Sequence, residues 1–139
     1  MRDKNENGFS LVELLLVVVI IGIIATISIP AFQKGIWASE NGRAQSNLRT
    51  IHSTQVGFYS QRGRFARLSE LNTELGGGLG TIVDDALIRG TYVFEMEPMV
   101  PTDDDLRTEY IISATRSVGS DAVYRYSLDQ SGVITPIFP

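Results

Sequence analysis

The chain has 139 residues, a length that fits one domain with a modest core but not two. Its 16 acidic residues outnumber its 12 basic ones, and the net charge of −4 argues against a nucleic-acid-binding surface. The absence of cysteine excludes disulfide bonds, thiolate metal sites and a cysteine nucleophile.

The first predicted element is an apolar helix that follows a short polar segment, MRDKNENG. Residues 14–32 contain no charged side chain, and about nineteen such residues would span a bilayer core. An ordinary secretory signal has a shorter apolar run and a small-residue cleavage site, which this sequence lacks. A plain membrane anchor fits the hydropathy but leaves Glu13 unexplained, because a carboxylate in such a helix is costly unless it has a functional role.

The order of residues at the start of the run, GFSLVE at positions 8–13, resembles the processing motif of type IV prepilins. In that family a dedicated membrane peptidase cuts after the glycine and methylates the new amino-terminal residue. The resemblance therefore implies removal of residues 1–8 as a leader, cleavage between Gly8 and Phe9, and N-methylation of Phe9.

Glu13 is expected to act in the assembly of subunits. After cleavage Phe9 would carry a free ammonium group, and Glu13 lies about 6 Å further along the helix axis. In the family's filament the acid pairs with the amino terminus of a neighbouring subunit, where a low dielectric strengthens the attraction. We therefore expect Glu13 to fix the register between subunits, because a wrong axial offset would leave a buried charge unpaired.

The helical pattern continues beyond the apolar run and predicts one helix from about Phe9 to Ser60. Gly22 and Pro30 lie where the prepilin family commonly has a glycine and a proline. Pro30 removes a backbone donor and Gly22 weakens the helix, and the resemblance implies that the helix melts between them in a filament. Apolar residues recur at helical spacing at Trp37, Ala44, Leu48, Ile51 and Phe58.

The rest of the chain predicts an antiparallel sheet of about four strands that packs on the helix. The strand signals are alternating or β-branched segments, and a turn at Asp129–Gly132 joins the last two. They lie at residues 92–96, 109–115, 123–128 and 133–135. The predicted fold class is α+β, divided into a leader (1–8), a transmembrane or filament-core half-helix (9–32) and a periplasmic-type globular domain (33–139).

Catalysis has little support in the sequence. His52 is the only histidine, and we interpret it as a polar residue on the helix surface rather than a general base. The glycine-rich stretch at 76–80 lacks the Lys-Ser/Thr of a phosphate-binding loop and predicts a flexible loop. We predict that the chain is not an enzyme and has no cofactor.

Charged residues elsewhere also have ordinary interpretations. Residues 103–105, three consecutive aspartates, are interpreted as a solvated loop. Asp121 and Asp129 lie in the region where major pseudopilins of type II secretion bind calcium, but without a recognisable ligand spacing they predict no metal site. The arginines at the predicted helix exit could meet DNA or lipid headgroups, but we favour salt bridges to acidic loops of neighbouring subunits. These are Arg62, Arg64 and Arg67.

The resemblance implies a structural subunit that polymerises through its amino-terminal helix into a type IV pilus-like filament for adhesion, motility or uptake. Its expected partners are copies of itself, the prepilin peptidase, an inner-membrane assembly platform driven by an ATPase, and minor pilins, with no nucleic acid. The precursor would cross the bacterial inner membrane once, and the filament would be extracellular or span the periplasm. The alternatives are a major pseudopilin of a type II secretion system and, outside the family, a membrane-anchored binding domain.

Two features of the sequence bear on the choice among these functions. The intact Glu13 favours a bulk subunit over a minor subunit at the filament tip, which can lack the acid in this family. The missing cysteines remove the carboxy-terminal disulfide loop that many major pilins have, and this departure weighs toward the pseudopilin.

Overall fold

A computed structural model describes residues 8–139 of the protein. The predicted leader therefore lies outside the described residues, apart from Gly8. The described chain forms two compact units that divide between Ser39 and Glu40. Its elements are α1 (Leu11–Arg62), α2 (Leu68–Glu74), β1 (Thr81–Val83), β2 (Ala86–Arg89), β3 (Tyr92–Met96), a 3-10 turn (Asp105–Arg107), β4 (Ile111–Val118), β5 (Asp121–Asp129) and β6 (Ile134–Phe138).

The α+β prediction is confirmed, and the long helix begins and ends within two residues of its predicted limits. The sheet has six strands rather than four, and all neighbouring strands are antiparallel in the order β1 to β6. The four predicted strands correspond to β3–β6, so the prediction missed β1 and β2. These two strands have only three and four residues, too few to show a clear alternation.

A two-residue turn joins β1 to β2, and it also escaped the sequence analysis. Asp84 and Asp85 form this turn with φ values of 47° and 66°. Turns of this kind need positive φ at both central positions and are usually recognised by Asn-Gly or Asp-Gly. An Asp-Asp pair gives no such signal, although aspartate tolerates this backbone conformation better than most residues.

The core of the second unit lies between the sheet and the helix residues from Ala44 to Phe58. Alternate residues of the strands point to the helix, as the period of two requires. In the register of the sheet, Phe94 pairs with Ala114 and Ala114 with Tyr126, so the three form one inward-facing row. The buried helix residues are Ala44, Leu48, Ile51, Gln55 and Phe58, which confirms most of the predicted face.

Gln55 is the polar member of this buried face, and its side chain is fully inaccessible to solvent. Its Nε2 donates to the carbonyl of Ala66 at 2.8 Å, and its Oε1 accepts from the N–H of Ala66 at 2.7 Å. The Gln55 amide thus pairs with both backbone groups of Ala66, as a neighbouring β-strand would. Apolar periodicity cannot identify such a residue, because its role depends on a backbone segment eleven residues away.

We expect Gln55→Leu to lower the free energy of unfolding by about 2–4 kcal/mol, because two buried backbone groups would lose their partners. The measurement is urea unfolding of the detergent-solubilised protein. Gln61→Leu at an exposed position of the same helix is the control and should change stability little. A loss for Gln55→Leu no larger than that of the control would contradict the structural role.

Among the described residues, Arg64 and Arg67 at the helix exit have acidic partners in the same chain, and the guanidinium of Arg62 lies over the ring of Phe58 at 5.0 Å. The guanidinium of Arg64 contacts Glu70 at 2.6 Å, and that of Arg67 contacts Asp103 at 2.7 Å. The hydrogen bonds from Arg64 hold the pKa of Glu70 below its usual range. The ion pair stabilises the folded state fully when the pH is above the pKa that Glu70 has in the unfolded chain. This stabilisation is lost as the pH falls through the lower pKa that Glu70 has in the folded chain. Arg64 and Arg67 therefore have acidic partners within the same chain, whereas the sequence analysis favoured salt bridges to neighbouring subunits, which stay a prediction.

His52 is a half-buried structural residue rather than an open surface residue. Its Nδ1 lies 2.8 Å from the hydroxyl of Tyr110, whose pKa is raised by burial. On the other side, Gly132 has a φ of 81° and approaches the ring so closely that a Cβ there would lie 2.6 Å from Nε2. The histidine connects the helix to the sheet, and this contact explains why a glycine follows the turn between β5 and β6.

Candidate functional site

The described part of the first unit, residues 8–39, presents an apolar surface with no covering element. Phe9 and Leu11 are more than four-fifths exposed, and even Ile20 and Ile36 remain nearly half exposed. Among the described residues, α1 is the one helix long and apolar enough to cross a membrane. An apolar surface of this extent indicates contact with lipid or with other protein chains.

Glu13 has a partner at the start of this helix. Its Oε2 accepts a hydrogen bond from the N–H of Ser10 at 2.8 Å, while the Ser10 hydroxyl accepts one from the N–H of Val12 at 3.3 Å. The two side chains cap the helix reciprocally, in the manner of a capping box. The sequence analysis missed this role, although the spacing Ser-x-x-Glu before an apolar run could have indicated it.

The segment from Gly22 to Pro30 is helical throughout in the single chain. Pro30 has no N–H to donate to the carbonyl of Thr26, four residues earlier. The hydroxyl of Thr26 donates to the carbonyls of Gly22 at 3.1 Å and of Ile23 at 2.7 Å. A side chain in the middle of the segment therefore already competes for backbone acceptors, which loosens a helix slightly.

Gly8 and Phe9 precede the helix and are exposed. A Cβ at Gly8 would have no atom within 4 Å, so the described chain itself gives no reason for a glycine there. An exposed segment outside regular secondary structure is a form that a protease can bind.

The acidic loops of the described chain form no candidate metal site. The residues from 8 to 139 contain no group of three potential metal ligands. Asp129 accepts hydrogen bonds from the N–H of Ser131 at 2.9 Å and from its hydroxyl at 2.5 Å, and these bonds lower its pKa. Asp105 accepts similarly from the N–H and hydroxyl of Thr102, at 2.9 and 2.6 Å. Both carboxylates therefore stabilise turns.

The chain is also similar to known proteins. A family model described as the prokaryotic N-terminal methylation motif matches residues 3–29. The chain is 41% identical over 74 residues to the type IV major pilin protein PilA of Myxococcus xanthus (strain DK1622). The matched stretch makes up 53% of this chain and 32% of the relative.

Two further relatives match shorter parts of the chain. The type IV major fimbrial protein FimA of Dichelobacter nodosus is 49% identical over 54 residues, 37% of this chain and 35% of the relative. The type IV major alpha-pilin of Moraxella bovis is 44% identical over 43 residues, 31% of this chain and 27% of the relative. The chain thus matches about a third of the length of these relatives. No solved structure matches it significantly.

Proposed function

We propose, on the premise that this chain belongs to the type IV pilin family, that it is a structural subunit that polymerises through its amino-terminal helix into a pilus filament. The observation that supports this function best is the uncovered apolar surface of residues 8–39, which follows directly on the methylation motif. Burial of that surface against identical helices would stabilise a filament at roughly 25 cal/mol per Å² of apolar area. The proposed role is therefore structural and not enzymatic.

The subunit is proposed to begin as an inner-membrane precursor. A prepilin peptidase would remove residues 1–8 and methylate Phe9. The apolar run would hold the processed chain in the bilayer until an ATPase-driven platform, with minor pilins, extracts it into an extracellular filament. The exposed, non-helical backbone at Gly8 and Phe9 supports access by such a peptidase.

Glu13 is proposed to exchange partners during assembly. In the single chain its carboxylate accepts from the N–H of Ser10. In the filament it would instead face the methylated ammonium of Phe9 on a neighbouring subunit, where the surrounding apolar helices exclude water. Any register that leaves the carboxylate and the ammonium apart would bury two unpaired charges.

Imaging and composition of surface filaments test the proposed function. Filaments sheared from cells that express the chain should consist mainly of it by mass spectrometry, and deletion of its gene should remove them. A secretion defect without surface filaments would instead indicate the major pseudopilin. The relatives named here are pilins and fimbrial proteins, so they give that alternative no support.

We expect the helix to lose its regular hydrogen bonding between Gly22 and Pro30 when it enters the filament. The hydroxyl of Thr26 would then supply a donor to one of the freed carbonyls inside the apolar core. A filament map by electron cryomicroscopy should show extended or irregular backbone there, and the double variant Gly22→Leu/Pro30→Leu should restore a regular helix if it assembles. Unbroken helix through residues 23–29 of the wild-type filament would refute this expectation.

A further inference from the structure

A cleft of about 490 Å³ lies in the second unit, between the helix and the turn that joins β2 to β3. The helix contributes one wall and the turn at Gly90–Thr91 contributes the other. Polar and charged side chains line most of the cleft, including Glu40, Arg43, Ser46, Asn47, Arg89 and Thr91.

The charges in this cleft are not balanced. Glu40 is paired with Arg116 at 2.9 Å, so its carboxylate is already neutralised. Arg43 is exposed and has no ion pair among residues 8–139. Arg89 donates from Nη1 to the carbonyls of Gly78 and Leu79, at 2.9 and 3.2 Å, and meets no carboxylate in the same part of the chain. The cleft therefore presents two positive charges without a counter-charge.

The opposite charge lies at the other end of the same strand. β2 runs from Ala86 to Arg89, and the turn before it holds Asp84 and Asp85. Both aspartates are exposed, and neither has an ion pair in the described chain. Four strand residues separate the two ends by roughly 13 Å. One copy of the chain thus has an acidic turn at one end of β2 and a basic cleft at the other, and the charges of both lack an ion-pair partner among the described residues.

We propose that the cleft binds the Asp84–Asp85 turn of a second copy of the chain. The two negative charges of the two-residue turn would meet the two positive charges of the cleft. Because the two surfaces are different, the contact is heterologous and can repeat from copy to copy, and heterologous contacts that do not close into a ring build open filaments. This inference rests on the proposed function and adds a contact between the globular units to the one made by the apolar helices.

Charge reversal with rescue tests the contact in cells that express full-length variants at the wild-type level. Arg43→Asp and Asp85→Arg should each lower the yield of sheared filaments about tenfold, because each places like charges together. The two changes combined in one chain should restore most of the yield. Asp104→Arg and Arg107→Asp, at side chains that are 91% and 69% exposed, are controls that should have no effect.

Cysteine cross-linking tests the same contact directly, since the chain has no cysteine of its own. Thr91→Cys combined with Asp85→Cys should give a ladder of linked subunits when filaments are treated with a short bis-maleimide. Thr91→Cys combined with Asp104→Cys should not.

The possible outcomes separate this inference from the proposed function. Rescue together with the ladder supports the contact. Filaments of normal yield with either single reversal, a defect without rescue, or filaments without a ladder would overturn it and leave the pilus subunit intact. A defect for Arg43→Asp but not for Asp85→Arg would point to another anion, such as a lipid headgroup, and would also overturn it. No filaments from the wild-type chain would refute the proposed function and the contact together.

Discussion

Cells that carry only Glu13→Ala are expected to insert and process the chain normally but to make few filaments or none. Insertion and cleavage do not need the acid, and the variant helix is more apolar than the wild type. Assembly would bring the methylated ammonium of Phe9 into the filament core without a counter-charge, and breaking such a buried pair costs about 3–5 kcal/mol. Immunoblots of sheared filaments and of membranes measure assembly and processing separately.

Glu13→Gln tests the role of the negative charge separately from the role of the side chain as a helix cap. Glutamine can still accept the hydrogen bond that the N–H of Ser10 donates, and it keeps the side-chain volume. It loses only the attraction to the amine, so its filament yield should lie between those of the wild type and Glu13→Ala. Normal yield from Glu13→Ala at wild-type expression would show that the acid is dispensable, and the partner exchange would then be wrong.

Gly8→Val is expected to abolish processing and to accumulate a precursor eight residues longer than the mature chain. The glycine has open space around it in the chain, so any need for it comes from the close approach of the peptidase to the backbone. Intact mass spectrometry of the membrane fraction distinguishes the two forms and detects methylation of Phe9.

Gly35→Val is the matched control, because Gly35 also has open space around it but lies outside the motif. That variant should be processed at the wild-type rate. Mature, methylated Phe9 in the Gly8→Val variant would exclude cleavage by the proposed route.

The sequence predicted the elements whose signal is long and periodic. The helix extends over 52 residues, and the strand Tyr92–Met96 alternates strictly, so both were found with accurate limits. Strands β1 and β2 are too short to show a period, and the Asp-Asp turn between them is not a usual hairpin signal. Gln55 could not be predicted because its partner is the backbone of Ala66, and sequence periodicity contains no information about such a pair.

The proposed assembly role of Glu13, which remains a prediction, was inferred from the sequence for a different reason. A carboxylate at Glu13 beside a long apolar run contradicts the ordinary chemistry of a membrane helix, and such a contradiction is visible without a structure. The Ser-x-x-Glu spacing at Ser10 and Glu13 also carried a capping signal, but the hydrogen bonds from the Thr26 hydroxyl to the carbonyls of Gly22 and Ile23 were visible only in the structure. The charge imbalance of the cleft also needed the structure, because the sequence does not show which arginines have acidic partners.

The order of the six strands has a consequence for how the second unit folds. Each strand pairs with the next one in the chain, so no pairing in the sheet crosses over an intervening strand. Sheets with such local contacts have low contact order and fold faster than sheets with crossed connections. Strands can therefore add one after another, each on the edge of the strand that precedes it in the chain, so the sheet can grow while the later part of the chain is still unfolded.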